Sequence, residues 1–165
     1  ILVFFMVFRA HRMSTGAMQA FFWAFATVMG VSMSVIPLVY SGTSIAQCFF
    51  ATAVAFLSLS LWGYTTKKDL SGFGTFLIMG VVGLFVVMLA NLFIRSDTLS
   101  LMISIVGVFL FAGLTAYDTQ KIKSTYAYVA GTDMIGKTAI LGALTLYLDF
   151  INMFQFLLSL LGNRE

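Results

Sequence analysis

The sequence predicts an all-α fold: a polytopic bundle of helices integral to a membrane. Of its 165 residues, 61% are hydrophobic and only 9% are Asp, Glu, Lys or Arg, whereas soluble domains are about 45–50% apolar and about 25% charged. So few charged side chains cannot cover the surface of a water-soluble globule. The composition therefore excludes a soluble enzyme, a disordered chain and a nucleic-acid-binding module.

Long uncharged runs place the individual helices. No charged residue occurs over 13–64, 70–94 or 98–117, and Asp149 is the only one over 138–163. A bilayer core about 30 Å thick takes roughly 20 helical residues, so the first run is long enough for two helices, divided by the turn-forming residues 40–44. We therefore predict one transmembrane domain with membrane-spanning helices over 16–39, 45–64, 72–94, 98–118 and 138–162, and a polar connection over 119–137.

The first residues, 1–12, predict part of a further helix. Residues 1–8 are apolar but too few to cross a bilayer, and Arg9 and Arg12 follow them rather than precede them, unlike the charges of a signal peptide. We interpret this segment as the second half of a span in an N-terminally truncated chain.

The basic residues predict the orientation. Connections rich in Lys and Arg alternate with connections poor in them. The connections 9–15, 65–71 and 119–137 contain seven Lys and Arg residues, and the others contain one, Arg95. Because Lys and Arg accumulate in cytoplasmic loops, these three connections are expected in the cytoplasm and the C-terminus outside. The predicted location is the bacterial cytoplasmic (inner) membrane.

A polar stripe on the last helix gives the first candidate site. At 100° per residue, Thr145, Asp149, Asn152 and Ser159 share one face of helix 138–162. Lipid cannot satisfy polar groups, so the stripe must face other helices or water, and this helix is expected at the centre of the bundle. Thr145, Asn152 and Ser159 are the candidates to line a pore. An ionisable residue within a span indicates function, which makes Asp149 the main candidate.

Asp118 is the second acidic candidate. It ends the predicted helix 98–118, and two carboxyl groups that met there would share a proton. The predicted depths differ, because Asp149 lies about 17 Å beyond Thr138. The pair therefore requires the last helix to enter the membrane later or the 98–118 helix to dip inward. The alternative is an interfacial charge balanced by Lys121.

Two arginines are candidates to bind Asp118. Arg9 and Arg12 lie at the same predicted membrane face, and a bond from one of them to Asp118 would close a pore mouth until the carboxylate was protonated. The alternative is that they only anchor the topology.

Two motifs, one around each aspartate, resemble those of a known family. These are Phe111-Ala112-Gly113-Leu114-Thr115-Ala116-Tyr117-Asp118-Thr119-Gln120-Lys121-Ile122-Lys123 and Leu144-Thr145-Leu146-Tyr147-Leu148-Asp149-Phe150-Ile151-Asn152. With them the chain strongly resembles the Bax inhibitor, or transmembrane Bax-inhibitor-motif, family in its bacterial branch. The resemblance implies a seven-helix fold with the last helix central, here without the first helix and part of the second.

The resemblance also implies an activity. Members of the family are pH-sensitive calcium leaks governed by an aspartate pair, which maps onto Asp118 and Asp149, and by an arginine that pairs with the first aspartate in the closed state. Arg9 is the preferred match and Arg12 the alternative. Asp118 and Asp149 would then also be transient calcium ligands.

The expected function is therefore a calcium leak channel gated by a protonatable aspartate pair. The alternative is a membrane interaction protein that modulates a membrane-bound AAA protease or another membrane partner without transport. An intramembrane aspartyl protease is disfavoured, because Tyr147-Leu148 stands where that class has flexible glycines, so no enzyme activity is expected. The chain is expected to act as a monomer in the lipid bilayer, without nucleic acid and without a cofactor, calcium being the permeant ion.

Overall fold

The computed structural model describes residues 2–164 and is helical almost throughout. Ile1, the first residue of the predicted partial span, lies outside the described residues. The α-helices are α1 (Leu2–Arg9), α2 (Thr15–Ser32), α3 (Ile36–Val39), α4 (Gly42–Thr65), α5 (Ser71–Ile94), α6 (Asp97–Val129) and α7 (Ile135–Leu161). Within the described part of the chain, five segments are long and apolar enough to span a membrane: Thr15–Val39, α4, α5, α6 and α7. The predicted all-α polytopic membrane bundle is confirmed.

Serine side chains begin three of the long helices. The hydroxyl groups of Ser14, Ser41 and Ser96 accept hydrogen bonds from backbone N–H groups in the first turns of α2, α4 and α6. Such N-caps satisfy donors that have no partner inside the helix. These polar residues therefore mark the ends of the apolar segments.

The predicted helix 16–39 is interrupted near Pro37. A 3₁₀ turn, Met33–Val35, separates α2 from α3, and Pro37 occupies the first turn of α3. Proline has no N–H to donate and its ring clashes with the preceding helical turn, so the break falls just before it. The hydroxyl of Ser32 donates to the carbonyl of Val28, 2.9 Å away.

The prediction that helix 98–118 ends at Asp118 is wrong. Helix α6 continues to Val129, and α7 begins at Ile135 rather than Thr138, so the predicted connection 119–137 shrinks to 130–134. No Gly or Pro occurs between residues 119 and 129, and nothing there stops a helix even though its side chains become polar. The chain turns only at Gly131, whose φ of +81° is readily adopted by glycine.

Helices α6 and α7 form the centre of the bundle. They pack against each other more extensively than any other pair, α4 packs against both, α5 packs against α6, and α2 packs against α7. The main core cluster joins α5, α6 and α7 through Leu77, Leu84, Ile103, Leu110, Phe111, Leu114 and Met153. The last helix is thus central, as predicted, and α6 shares that position.

Candidate functional site

The two acidic residues singled out from the sequence lie at matching heights on neighbouring helices. Asp118 is 11 residues before the end of α6, and Asp149 is 14 residues after the start of α7. At 1.5 Å per residue these positions are about 17 Å and about 21 Å from the connecting turn. The longer α6 therefore removes most of the difference in depth that the sequence indicated, and the earlier start of α7 leaves about 4 Å of it.

The carboxyl groups of Asp118 and Asp149 lie near each other across the interface of α6 and α7, close enough to interact electrostatically. Two carboxylates only accept hydrogen bonds, so a bond between them requires one proton. Both residues are buried, at 9% and 4% exposure. Oδ2 of Asp149 is also buried and receives no hydrogen bond from the described residues. Two neighbouring buried carboxyl groups of this kind can share one proton.

A cavity of about 310 Å³ opens beside Asp118. We call it the carboxylate cavity. Its polar lining comes from Asp118, Lys121 and Thr125 of α6 and from Thr138 and Thr145 of α7, and its apolar lining includes Val3 and Val7 of α1. One predicted pore-lining residue, Thr145, lies on this wall, where its hydroxyl donates to the carbonyl of Leu141.

A second cavity of about 630 Å³ lies between α5, α6 and α7 on the other side of the pair. We call it the serine cavity. Its polar residues are Asn91, Ser100, Ser104, Asn152, Gln155 and Ser159. The hydroxyl groups of Ser104 and Ser159 are 3.0 Å apart and join α6 to α7 by a hydrogen bond. The other two predicted pore-lining residues, Asn152 and Ser159, line this cavity.

Asp149 lies between the two cavities. On α7, Thr145 faces the carboxylate cavity and Asn152 faces the serine cavity, each about one turn from Asp149. Residues within four positions of either aspartate are also buried, including Thr115 and Leu114 of α6 and Met153 of α7. Along α7, Asp149 therefore lies between the residues that line the two partly polar cavities.

The structure does not bring the predicted arginine to this site. Arg9 is exposed, and its guanidinium lies over the ring of Phe5, 5.3 Å from the ring centroid. Arg12 is exposed as well. Within residues 2–164, neither arginine forms an ion pair with Asp118 within 4 Å. An arginine–aspartate bond therefore stays a prediction for another conformation.

The site offers few ligands for a resident metal ion. Among the described residues, no group of three or more His, Cys, Asp or Glu side chains is placed to hold one. Asp118 and Asp149 supply carboxylate oxygens, whereas calcium takes six to eight oxygen ligands in a stable site. The predicted role of the pair as a transient calcium ligand requires water or backbone oxygens to complete the shell.

Residues that the sequence did not single out fix α6 beside the pair. The side chain of Gln120 accepts a hydrogen bond from the N–H of Leu70 and donates one to the carbonyl of Lys68, at 2.9 and 2.8 Å. Lys123 donates to the carbonyl of Tyr64 at 2.7 Å and lies over its ring. The connection between α4 and α5 is thus held to α6 next to Asp118. No periodicity reveals these contacts, because they join distant parts of the chain.

The opposite end of α7 is also fixed. The carbonyl of Asn163 accepts a hydrogen bond from the N–H of Ser41, its N–H donates to the hydroxyl of Ser44, and Arg164 lies over the ring of Tyr40. These contacts hold the end of the central helix to the turn between α3 and α4. Asp149 is therefore carried on a helix restrained beyond its last residue.

Comparisons with known proteins agree with the two motifs. The model of the family described as "Inhibitor of apoptosis-promoting Bax1" matches residues 1–165. The chain is 49% identical to protein RP147 of Rickettsia prowazekii over 99% of this chain and 69% of that protein. It is 44% identical to the inner membrane protein YbhL of Escherichia coli K12, over 94% of this chain and 67% of that protein.

A protein of Caulobacter vibrioides is 50% identical over 88% of this chain and 59% of its own length. The chain thus spans about six to seven tenths of the length of these relatives.

Proposed function

The chain belongs to the Bax inhibitor family, and on that premise we propose that it is a pH-sensitive calcium leak gated by the pair Asp118–Asp149. The observation that carries the proposal is the proximity of two buried carboxyl groups on neighbouring helices, with partly polar cavities lined by residues on either side of them along α7. Buried ionisable groups inside a bundle are costly and mark ion or proton pathways.

The gate works through the proton that the pair shares. With one proton between them, the carboxyl groups hold α6 and α7 together and separate the carboxylate cavity from the serine cavity. Loss of the proton leaves two adjacent negative charges that repel each other in a low-dielectric environment. The helices then separate at this level, and two carboxylates become available to a passing calcium ion.

The polar residues on both sides supply the rest of the path. Thr145 on one side and Asn152 with Ser159 on the other offer oxygen atoms in steps along α7. Conduction requires binding that is favourable enough to admit an ion and weak enough to release it. A short series of neutral oxygens around one charged pair meets that requirement.

We propose that the carboxylate cavity faces the cytoplasm of a bacterium, across its inner membrane. The contacts of Gln120 and Lys123 bring the basic connection 66–70 and the end of α6 to the same side of the bundle, in agreement with the charge alternation. Labelling in intact cells tests this orientation with Lys68→Cys and Ser96→Cys, each in a chain that also carries Cys48→Ser so that one cysteine is present. A reagent that cannot cross the membrane should label the cysteine at position 96 and leave the one at position 68 unlabelled.

Calcium flux into proteoliposomes at a series of pH values tests the leak. The full chain is expected to show a pH-dependent flux that Asp149→Asn makes independent of pH. Asp133→Asn is the matched control, because Asp133 is an exposed carboxylate in the turn between α6 and α7 and its loss should leave the profile unchanged. An unchanged pH profile in Asp149→Asn would refute the proposed gate.

The sign of the pH dependence separates the two gates that the site allows. Repulsion within the pair predicts a flux that rises with pH. A bond from Arg9 to an ionised Asp118 in a closed state predicts the reverse, because protonation of the carboxylate breaks that bond. A flux that falls as pH rises, and that becomes independent of pH in Arg9→Gln, would therefore assign the gate to the arginine.

Flux no greater than that of empty liposomes at every pH would refute the leak. The alternative function, modulation of a membrane-bound AAA protease or another membrane partner, would then be tested by co-purification from membranes. We propose no catalytic role for the pair, since Tyr147 and Leu148 stand where an aspartyl protease of the membrane has flexible glycines. Cleavage of a model transmembrane peptide that Asp149→Asn abolishes would refute that statement.

A further inference from the structure

One cation shares the carboxylate cavity with Asp118. Lys121 lines the cavity one helical turn beyond Asp118, and its ammonium group attracts that carboxylate electrostatically. It also lies over the ring of Tyr117, 5.9 Å from the ring centroid. Its long side chain is therefore held at the wall of the cavity, near the acidic pair.

The neighbouring lysine is directed elsewhere. Lys123, two residues further along α6, binds the carbonyl and the ring of Tyr64 and does not line the cavity. The two lysines carry the same charge and lie on the same helix, but their side chains have different surroundings.

No other charged side chain among the described residues faces this cavity. Helix α1 contributes Val3 and Val7, and α7 contributes threonine, glycine and leucine residues. The guanidinium of Arg9 lies over Phe5 instead. Lys121 is thus the only positive charge on the described wall.

We propose that Lys121 is a specificity-determining residue, which lowers the occupancy of the carboxylate cavity by divalent cations and so keeps calcium binding weak enough for release. This inference rests on the proposed function, since it takes the cavity to lie on the calcium path. A cation near Asp118 is attracted by the carboxylate and repelled by the ammonium group. The repulsion is twice as large for a divalent ion as for a monovalent one at the same place.

The charge-removing variant Lys121→Gln should therefore bind calcium more tightly. Equilibrium binding of ⁴⁵Ca²⁺ to the purified full chain in detergent, at one fixed pH, is expected to show a half-saturating concentration roughly three- to ten-fold lower than in the wild type. Lys121→Arg keeps the charge and should bind like the wild type. Lys123→Gln is the matched control, and it too should bind like the wild type.

The outcomes distinguish this inference from the leak itself. Tighter binding in Lys121→Gln alone supports the inference whether or not the proteoliposomes conduct. Equal binding in Lys121→Gln and Lys123→Gln, or none in either, overturns it even if the pH-dependent flux is present. Tighter binding in both variants also overturns it, because the effect would then come from net charge rather than from the place of Lys121.

Discussion

Replacement of Gly63 by alanine tests how closely the helices beside the aspartate pair approach each other. Gly63 is a buried residue of α4, and it faces the backbone of Ala116, two residues before Asp118. A Cβ atom at position 63 would lie 2.9 Å from the Cα and carbonyl carbon of Ala116 and closer still to its carbonyl oxygen. The obstacle is backbone, so no side-chain rotation can relieve the overlap.

The expected cost follows from the separation that this overlap forces. Ordinary contacts of a Cβ atom begin near 3.4 Å, so α4 must move away from α6 by several tenths of an ångström or more. A gap of that size loses a quarter to a half of each affected dispersion contact, and overpacking of this kind costs about 1–3 kcal/mol. In a chain of this length, that corresponds to a fall in Tm of roughly 2–12 °C.

The single cysteine supplies the assay. Cys48 of α4 is buried against α7, with 4% of its surface exposed. A thiol-reactive fluorophore should therefore react only as the bundle opens, and its signal on heating in detergent gives Tm. Gly83→Ala is the matched control, because a Cβ atom there would have no neighbour within 4 Å and alanine favours the helix by up to about 1 kcal/mol.

The two substitutions should shift Tm in opposite directions, with Gly63→Ala lower than the wild type and Gly83→Ala equal or higher. If Gly63→Ala melts at or above the temperature of Gly83→Ala, the close approach of α4 to α6 at Ala116 is wrong.

Three further predictions concern the core, the connection 66–70 beside the site, and Asp69 within that connection. Met153→Ala removes a side chain that is 1% exposed and should cost about 2–5 kcal/mol; Met79→Ala, at a position 70% exposed, should change the Tm in detergent little. Gln120→Ala loses both hydrogen bonds to the connection 66–70 and should speed the exchange of its amide hydrogens. Exchange as slow as in the wild type would show that Gln120 does not hold this connection to α6. Hydrogen bonds from the Ser71 hydroxyl and N–H lower the pKa of Asp69. The ionised Asp69 therefore stabilises the start of α5 above the ordinary pKa of an aspartate, and this stabilisation is lost as the pH falls through the lowered pKa. Asp69→Ala should remove this acid-induced change in the protection of the first amides of α5, and a change that persists in the variant would assign it to another group.

The sequence predicted the five long apolar segments and most of their bounds because charges interrupt the apolar runs near the ends of the spans. It misplaced the end of α6 because the change from apolar to polar residues after Asp118 marks a change of surroundings, not the end of a helix. Backbone hydrogen bonds continue through Thr119 to Val129, where the side chains favour water and the helix persists.

The sequence revealed the candidate residues themselves but not the residues that surround them in the folded chain. A carboxylate inside an apolar run is visible in the sequence, so Asp118 and Asp149 could be named. The different surroundings of Lys121 and Lys123 could not be predicted, because they depend on where Tyr64 of a distant helix lies. The approach of Gly63 to Ala116 is likewise a property of two packed surfaces, and a glycine alone does not reveal its partner.

The hairpin of α6 and α7 has a consequence for the way the protein enters its membrane. The two helices are joined by only five residues, 130–134, and they carry their aspartates at nearly equal distances from that turn. A pair of helices inserted together would bring both acidic groups into the lipid at the same moment, side by side and able to share a proton. The bilayer then has to accept one negative charge instead of two. The same pairing that we assign to gating would therefore also reduce the cost of biogenesis relative to two carboxylates that enter the lipid separately and ionised.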